Sequence, residues 1–215
     1  MRYIPLLLLC LLLQACSQTQ KGLSDTVKLA LLGPDDVQVT SEQVESLPYA
    51  SMYLRVNHGQ RIFVVLGFDE NGQQKWITRD RSVVVTQHGR VVKTLGLNDN
   101  LIDVTNLQQD PLADPLHLTE GASWTRTLSW SDAGAFRAGT AISHFTRKDD
   151  QVLDLAGNKV ACRVWQEHVE LAADGKSWTN TFWIDTTTGQ VRQTQQTLGG
   201  DDFPIETTIL KPAKS

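Results

Sequence analysis

Residues 124–130 read Trp-Thr-Arg-Thr-Leu-Ser-Trp, and this stretch decides the fold class. Large side chains at 124, 126, 128 and 130 alternate with hydroxyl side chains at 125, 127 and 129. Successive side chains of a β-strand point to opposite faces, so this period of two predicts a strand with one aromatic face and one hydroxyl face. The same period recurs along most of the chain after Met52.

Short apolar or alternating runs follow one another towards the C-terminus, with turn signals between them. Asn71-Gly72, Gly157-Asn158, Asp174-Gly175 and Thr188-Gly189 are typical of tight turns because Asn, Asp and Gly tolerate their backbone angles. Residues 60–68 are apolar on both faces, which predicts a central strand. Strands are predicted at 52–56, 60–68, 75–78, 83–86, 91–95, 101–104, 124–130, 136–148, 151–155, 160–171, 177–184, 190–198 and 205–210.

These runs predict an all-β fold, a large antiparallel meander that forms a sandwich or a half-open barrel, with one or two short N-terminal helices. A parallel α/β fold is excluded because its crossover helices, of about a dozen residues each, have no place after Met52. One helix is predicted at 26–32, between the N-cap candidates Ser24-Asp25 and the stop signal Gly33-Pro34. Residues 41–46 fit one further helical turn or a polar loop.

The composition of the chain excludes several classes of protein. The chain has 215 residues, 40% of them apolar and 7% aromatic, which excludes a disordered, collagen-like or polytopic membrane protein. The 20 Lys and Arg against 24 Asp and Glu leave a net charge of −4 at pH 7. A negative net charge opposes nucleic acid as a partner, because its phosphates are recognised mainly by basic side chains.

The N-terminus has the organisation of a secretion signal. A positive start at Met1-Arg2-Tyr3 precedes an apolar run at 4–13, which is too short to cross a hydrocarbon layer of about 30 Å. The run ends in Leu13-Gln14-Ala15-Cys16, which resembles the lipobox of bacterial lipoproteins. The resemblance implies cleavage after Ala15, a diacylglyceryl thioether on the Cys16 sulfur and an acyl chain such as palmitate on the new amino group. The alternative is an ordinary signal peptide with a chance Cys.

The predicted organisation follows from that cleavage site. Residues 1–15 are the lipoprotein signal peptide, 16–24 the lipidated Cys with a flexible tether, and 25–215 a single β-rich periplasmic domain. Ser17 follows the anchor, where an Asp would resemble the signal for inner-membrane retention. The resemblance therefore implies a lipid-anchored protein on the periplasmic face of the outer membrane.

Cys162 is the one other thiol expected in the mature chain, so it has no internal disulfide partner. In an extended strand its side chain shares a face with Val160 and Val164. A buried, inert Cys is the favoured interpretation over a nucleophile, because the neighbouring sequence supplies no activating His or helix N-terminus.

Several C-terminal segments resemble the YjbF/GfcB family of lipoproteins encoded in group 4 capsule and exopolysaccharide operons. These are residues 181–185, 188–192, 196–199, 204–206 and 208–212, and the upstream residues 67–69, Trp76 and 91–97 fit the same family. The resemblance covers nearly the whole mature chain, and its motifs describe strands and turns. It implies an all-β outer-membrane lipoprotein that works beside other products of a polysaccharide secretion operon, among them a large outer-membrane β-barrel protein. It implies no catalytic residues.

The sequence nominates no catalytic site and no site for a metal or another cofactor. The spacings that bind zinc, activate a serine or cradle a phosphate are missing, and the five His residues are scattered along the chain. A glycosidase needs two facing carboxylates about 5–10 Å apart, and nothing nominates a pair among the 24 acids. Asp149-Asp150 and Asp201-Asp202 are interpreted as turn carboxylates. We therefore expect a protein that is not an enzyme.

Aromatic residues are the first candidates for binding, since the apolar faces of sugar rings stack on flat indoles. The chain has six Trp, and most are expected in the core because a Trp in an alternating strand usually fills a sandwich interior. Trp183 differs, because it shares a face with Thr179 and Thr181 while its neighbours Phe182 and Ile184 point to the other side. Trp183 and Thr181 are therefore candidate contacts for a glycan or a protein partner.

The stretch Gln190–Thr197 is almost wholly polar on both faces. Gln193 and Gln195 share one face with Val191 and Thr197, and Arg192 lies on the other with Thr194 and Gln196. A polar strand is normally an exposed edge or a barrel rim. It also fits a hydrogen-bonding surface for glycan hydroxyls, or an edge for strand addition by another protein. Arg192, Gln193 and Gln195 complete the set of candidate contacts.

The leading hypothesis is a non-catalytic outer-membrane lipoprotein that is an accessory component of capsule or exopolysaccharide secretion or assembly. Its expected partners are the membrane, through the lipid anchor, and proteins of the secretion operon including the outer-membrane β-barrel, with the polysaccharide as a further candidate. One alternative is a half-open barrel that carries an apolar ligand, which a deep apolar cavity would favour and a filled core would oppose. The other is a polysaccharide-modifying enzyme with unassigned acids.

Overall fold

The computed structural model describes residues 36–173, 175–199 and 203–213. The signal peptide, Cys16, the tether and the helix predicted at 26–32 lie outside these residues, as do Asp174 and Asp201-Asp202 of the predicted turns. Within the described part of the chain, no helix has the length and apolar character needed to cross a bilayer.

The secondary structure consists almost entirely of strands, as the alternating sequence predicts. The one α-helix in the described residues, α1, spans Ser41–Ser46, and three 3₁₀ turns lie at Leu107–Gln109, Pro111–Ala113 and Pro115–His117. The strands are β1 Ser51–Val56, β2 Ile62–Glu70, β3 Gln73–Ile77, β4 Val83–Gln87, β5 Arg90–Leu95, β6 Leu101–Val104, β7 Ser123–Asp132, β8 Ala135–Leu155, β9 Asn158–Leu171, β10 Ser177–Asp185, β11 Val191–Thr197 and β12 Pro204–Lys211.

All twelve strands form one antiparallel sheet in the order β5-β4-β3-β2-β1-β12-β11-β10-β9-β8-β7-β6. The sheet consists of two meanders, β1–β5 and β6–β12, joined by pairing of the first strand with the last. The two edge strands approach each other without a backbone ladder, and the Leu101 amide donates to Thr94 Oγ1 at 2.9 Å. This nearly closed sheet confirms the predicted meander and half-open barrel.

Residues 41–46 adopt the helical alternative because Thr40 caps the helix. Thr40 Oγ1 accepts from the Gln43 amide at 3.3 Å, and Gln43 Oε1 accepts from the Thr40 amide at 2.9 Å. This reciprocal arrangement satisfies two amides that a helix start leaves unpaired. Val44 is buried against Tyr53 and Leu210, so the helix packs on the outer side of β1 and β12.

The interior of the sheet is filled by the large side chains of the alternating strands. Trp76 and Trp124 are buried there with aliphatic residues of β1, β2, β4 and β5, and Phe145, Trp165 and Phe182 form an adjoining cluster. The strand predicted to be central at 60–68 corresponds to β2, which pairs with β1 and β3 on its two sides. The prediction that most Trp residues belong to the core is confirmed for Trp76, Trp124 and Trp165.

Two expectations are wrong, one about the position of a turn and one about an edge strand. Asp149 and Asp150 lie in β8, where the register with β9 shifts between Lys148 and Gln151, and the bulge absorbs the two acids without a turn. The polar stretch at 190–197 is no edge, because β11 is paired with both β10 and β12. Strand addition at β11 is therefore ruled out, since its backbone groups are already in ladders.

Candidate functional site

Four of the five candidate contact residues lie together on the outside of the sheet. In one cross-strand row, Thr181 of β10 is opposite Gln195 of β11, which is opposite Glu206 of β12. In the next row, Trp183 is opposite Gln193, which is opposite Thr208. We call the surface formed by these two rows and the adjoining Tyr53 and Arg55 of β1 the outer face.

The outer face contains a shallow polar depression with a volume of about 130 Å³. Gln195 is exposed and Gln193 is half-buried, so their amides are available at its surface. Arg55 Nε lies 3.2 Å from Glu206 Oε2, and its NH1 donates to the Gly59 carbonyl at 2.8 Å. The lining residues are Tyr53, Arg55, Arg61, Gln193, Gln195, Glu206 and Thr208.

Two contacts fix the Tyr53 side chain in the depression. The Tyr53 hydroxyl accepts from the Val39 amide at 2.8 Å, and the Arg61 guanidinium lies 4.3 Å from the centre of its ring. Arg61 NH2 also donates to the Val37 carbonyl at 3.2 Å. The segment before α1 is thereby fixed beside the depression. The site offers amides, a hydroxyl, guanidinium groups and a carboxylate, which suits recognition of a polar partner by hydrogen bonds.

Trp183 is on the predicted face but is covered. It is 8% exposed, it packs on Cys162 and Val164, and its Nε1 donates to Gln151 Oε1 of β8 at 2.9 Å. The β8–β9 hairpin thus contacts the edge of the indole, and the buried ring is not open to a sugar. Trp183 therefore packs beside Gln193 in the same row and provides no stacking surface.

The thiol in the cluster with Trp183 is the buried Cys expected from the sequence. Cys162 clusters with Val164 and Trp183, with Val160 packed against them. Burial raises the pKa of the Cys162 thiol to about 11, with a smaller contribution from the Asp185 carboxylate that Arg192 partly offsets. At neutral pH the group is a protonated thiol, which agrees with the inert interpretation.

Arg192 is the fifth candidate, and it lies where the register between β10 and β11 shifts, so that Ile184 is opposite Val191. The Arg192 side chain is buried, with NH1 3.4 Å from Asp185 Oδ2 and NH2 3.4 Å from the Ile209 carbonyl. Burial opposes ionisation of Asp185, but the Thr187 and Thr188 amides and then Arg192 outweigh it and lower its pKa. Arg192 is therefore engaged with Asp185, whose Oδ1 accepts from the Thr187 and Thr188 amides of the β10–β11 turn.

The interior holds a charged group of residues that sequence reasoning missed. Arg90 Nε lies 2.5 Å from Asp110 Oδ2, its NH1 lies 2.8 Å from Glu167 Oε2, and Arg126 NH1 lies 3.3 Å from Glu167 Oε1. Asn180 Nδ2 donates to Glu167 Oε2 at 2.8 Å. All four ionisable side chains are 3% exposed or less. We call Arg90, Asp110, Arg126 and Glu167 the ion cluster.

Opposite charges keep the ion cluster ionised. Burial alone would raise the pKa of Glu167, but Arg90, Arg126 and two hydrogen bonds lower it to about 2. Burial, together with repulsion from Arg90, lowers the pKa of Arg126 to about 10 although Glu167 opposes this shift. Burial also acts to lower the pKa of Arg90, but Asp110 and Glu167 raise it above its usual value.

Aromatic rings line the ion cluster. The guanidinium of Arg126 lies 4.2 Å from the Trp124 ring centre, and that of Arg90 lies 4.6 Å from Trp124 and 5.2 Å from Phe182. A hollow of about 20 Å³ adjoins Arg90 and Arg126, which is room for about one water molecule. The ion cluster is thus enclosed, and its members contact one another and the surrounding core residues.

One local signal could have found part of the cluster. Arg126 lies on the same strand face as Trp124 and Leu128, and Glu167 lies on the same face as Trp165 and Val169. A charged residue on an otherwise apolar strand face predicts a buried ion pair, because an unpaired charge is too costly to bury. The sequence alone does not pair these residues with Arg90 or Asp110.

The described residues contain no group of three or more His, Cys, Asp or Glu placed to hold a metal ion. Two of the His residues that are scattered in sequence, His144 and His168, are directly opposite each other on β8 and β9.

Comparison with known proteins identifies relatives along the whole chain. The family model described as "Group 4 capsule polysaccharide lipoprotein gfcB, YjbF" matches residues 24–210. The Escherichia coli K12 lipoprotein GfcB is 46% identical over 213 residues, which is 99% of this chain and 100% of the relative. The lipoprotein YjbF of the same organism is 46% identical over 214 residues, covering 100% of both chains.

A solved structure has the same fold. The crystal structure of the hypothetical lipoprotein YmcC from Escherichia coli K12 is 47% identical in sequence and aligns with a TM-score of 0.79. The alignment covers 89% of this chain and 96% of the other.

Proposed function

The chain belongs to the YjbF family of group 4 capsule polysaccharide lipoproteins, and we propose that it is a non-catalytic accessory component of capsule or exopolysaccharide secretion or assembly. In this proposal Cys16 carries the lipid that holds the protein on the periplasmic face of the outer membrane. The β-rich domain then docks on protein partners of the secretion machinery, including its outer-membrane β-barrel.

The outer face is the observation that carries this proposal. It gathers Thr181, Gln193 and Gln195 in adjacent rows beside the Arg55–Glu206 pair. The pair is partly exposed, with 27% and 46% of the two side chains accessible. An exposed ion pair contributes little to folding, about 0–1 kcal/mol, so its charges can be redirected to a partner at small cost. Amides and hydroxyls at the same place supply directional hydrogen bonds.

The location of the other charges supports a binding role over a catalytic one. The buried cluster of two carboxylates and two guanidiniums is enclosed by Trp124 and Phe182 and lies beside a hollow of about 20 Å³. A sugar substrate cannot reach these acids without opening the sheet. The interior also argues against the alternative of a carrier that encloses an apolar ligand, because such a carrier needs an internal cavity of about 300 Å³ or more and the hollow beside Arg90 and Arg126 measures about 20 Å³.

Affinity capture of the full-length lipidated protein from solubilised outer membranes tests the proposal. We expect wild type to recover proteins of the polysaccharide secretion operon, and Gln195→Trp to lose them because the indole fills the depression. Thr125→Trp is the matched control, since Thr125 is an exposed outward residue on β7, away from the depression.

Two outcomes would contradict the proposal. Wild type could recover no operon partner, or Gln195→Trp could recover the same partners as wild type, which would exclude the outer face.

Membrane anchoring is tested separately with Cys16→Ser. We expect this variant to fractionate away from the outer membrane and to reduce polymer secretion, and retention in the outer membrane would refute the anchor.

A further inference from the structure

A second depression, with a volume of about 320 Å³, lies where several turns meet at one end of the sheet. We call it the mouth groove. It is within the range of pockets that bind small molecules, about 300–1,000 Å³. Its lining comes from the β2–β3 hairpin, the β4–β5 turn, the β10–β11 turn, the end of β12 and the 3₁₀ segment at Pro115.

The walls of the mouth groove are held by close packing of two turns. Gly89 has φ +81°, and a Cβ built on it would lie 2.4 Å from Val191 Cβ. Gly189 has φ +73°, and its Cβ would lie 2.9 Å from Leu116 Cγ. Both positions require Gly for conformation and for space. Turns that fit so closely against their neighbours present a preformed groove to a ligand.

A side chain from β11 ties the same turn to the far side of the sheet. Gln196 Nε2 donates to the Gly89 carbonyl at 3.1 Å, and its Oε1 accepts from the Val91 amide at 3.2 Å. The β4–β5 hairpin therefore keeps its place at the groove although it has no ladder with β11.

The floor of the mouth groove is apolar and its rim is polar. The half-buried Ile209 and the buried Trp76 and Val191 contribute to the floor, where Ile209 is the most accessible of the three. The Trp76 Nε1 donates to Thr86 Oγ1 at 2.9 Å. At the rim, Gln74 Nε2 donates to Asp69 Oδ2 at 3.2 Å. His88, Thr188 and Gln190 are exposed around the opening.

This combination fits a sugar, which has apolar C–H faces and a rim of hydroxyls. Hydroxyls both donate and accept, and the rim offers amides, a carboxylate, an imidazole and a hydroxyl for both roles. The described lining residues include Asp69 and no Lys or Arg. An acidic sugar would face the Asp69 carboxylate without a compensating cation, so the groove suits neutral or amino sugars.

We propose that the mouth groove binds a short segment of neutral or amino sugars of the polysaccharide. This inference rests on the proposed function, because that function brings the protein to the polymer. It adds a site distinct from the outer face, so that the glycan and the protein partner bind at different surfaces.

Equilibrium dialysis with full-length protein in detergent micelles tests the inference. The probe is a set of oligosaccharides made by partial acid hydrolysis of the capsular polysaccharide of the producing cell, separated into neutral, basic and acidic fractions. We expect binding of the neutral or basic fraction. Gln190→Trp places an indole at the opening and should weaken binding at least tenfold.

Two further variants make the test specific. Gln108→Trp makes the same substitution at an exposed Gln of the first 3₁₀ turn, outside the groove, and should bind like wild type. Gln74→Ala removes a rim amide without adding bulk, so it keeps the test valid if Gln190→Trp folds poorly. Circular dichroism and a melting curve for each variant establish that it is folded.

The inference is overturned if wild type binds no fraction, if the acidic fraction binds best, or if the groove variants bind as tightly as Gln108→Trp. It is supported if binding is lost only in Gln190→Trp and weakened in Gln74→Ala. Partner capture separates it from the proposed function, because Gln190→Trp should still recover the operon partners that Gln195→Trp loses.

Discussion

Replacing Glu167 with Gln tests the ion cluster most directly. The change keeps the shape of the side chain but leaves Arg90 and Arg126 with Asp110 as the one carboxylate of the cluster. Burial opposes ionisation of Glu167, but the two guanidiniums outweigh it and lower the pKa from 4.5 to about 2, a preference for the ionised form worth about 3 kcal/mol. Breaking a buried ion pair by removing one partner typically costs about 3–5 kcal/mol. We therefore expect Glu167→Gln to lower the free energy of unfolding by at least about 3 kcal/mol.

Urea unfolding of the full-length protein, followed by tryptophan fluorescence, measures this loss. With a slope of about 2 kcal/mol per molar urea, the midpoint should fall by about 1.5 M. Glu206→Gln is the matched control, because Glu206 also pairs with an Arg but is 46% exposed. Exposed pairs contribute about 0–1 kcal/mol, so this midpoint should move by less than about 0.5 M.

A second substitution distinguishes charge imbalance from loss of a hydrogen bond. Arg126→Met in the Glu167→Gln background leaves a neutral Arg90–Asp110 pair, with Met in the apolar space beside Trp124. The double variant should therefore be more stable than the sum of the two single changes predicts. The reasoning is refuted if Glu167→Gln shifts the midpoint no more than Glu206→Gln, or if the two changes are additive.

The pH dependence of the stability of the wild type follows from the pKa of Glu167. Because the folded-state pKa of Glu167 lies below its unfolded value, its contribution to stability is fully present above about pH 4.5. It is lost progressively as the pH falls towards about 2. The stability difference between wild type and Glu167→Gln should therefore be constant from pH 6 to 8 and shrink in acid, whereas a constant difference down to pH 2 would contradict the assignment.

Two other changes have expected outcomes. Burial raises the pKa of the Cys162 thiol to about 11, so it should resist iodoacetamide at pH 8 in the folded protein and react in urea. Mass spectrometry measures the labelling. Rapid labelling of the native protein would contradict the burial of Cys162. Gln196→Ala removes the acceptor of the Val91 amide and the donor to the Gly89 carbonyl. It should lower the free energy of unfolding by about 1–3 kcal/mol and speed hydrogen exchange at the Val91 amide. Unchanged exchange would refute the link between β5 and β11.

The sequence predicts the strands because burial acts locally along each of them. The alternation at Trp124, Arg126 and Leu128 is strict, and the strand that forms there buries all three. The alternation of β11 likewise places Gln193 and Gln195 on one side and Thr194 and Gln196 on the other, as the structure has them. The prediction fails at Val191, which packs in the interior because the register with β10 shifts before Gln193. Which residues share a face is therefore predictable from a single sequence only along an uninterrupted stretch of strand.

Pairing across the interior is not predictable in the same way. Arg90 is 20 residues from Asp110 and 77 from Glu167, so no local spacing connects them. Trp183 illustrates a related difficulty. Its strand face is predicted from alternation, but its burial depends on the β8–β9 hairpin, whose Cys162 and Val164 pack against it and whose Gln151 bonds its Nε1. Contacts between distant segments decide both cases.

The polar character of β11 has two separate physical causes, and one of them explains why the edge prediction is wrong. Its inner side bonds across the interior: Thr194 Oγ1 lies 2.8 Å from Thr207 Oγ1, and Gln196 bonds the backbone of the β4–β5 hairpin. The sheet is open between β5 and β6, so edge amides such as those of Val91 and Leu101 need partners other than a neighbouring strand. Side chains of Gln196 and Thr94 provide them.

The outer side of β11 differs from the inner side. Gln195 is exposed beside Glu206, and no hydrogen bond joins its side chain to another of the residues that the structure describes, so an apolar or charged residue there would break none of these contacts. The inner amide therefore stabilises the open sheet, whereas the outer amides are available for recognition. In the proposed function the outer amides contact a partner, so the variants Gln196→Ala and Gln195→Trp separate the structural role of the inner side of β11 from the proposed binding role of its outer side.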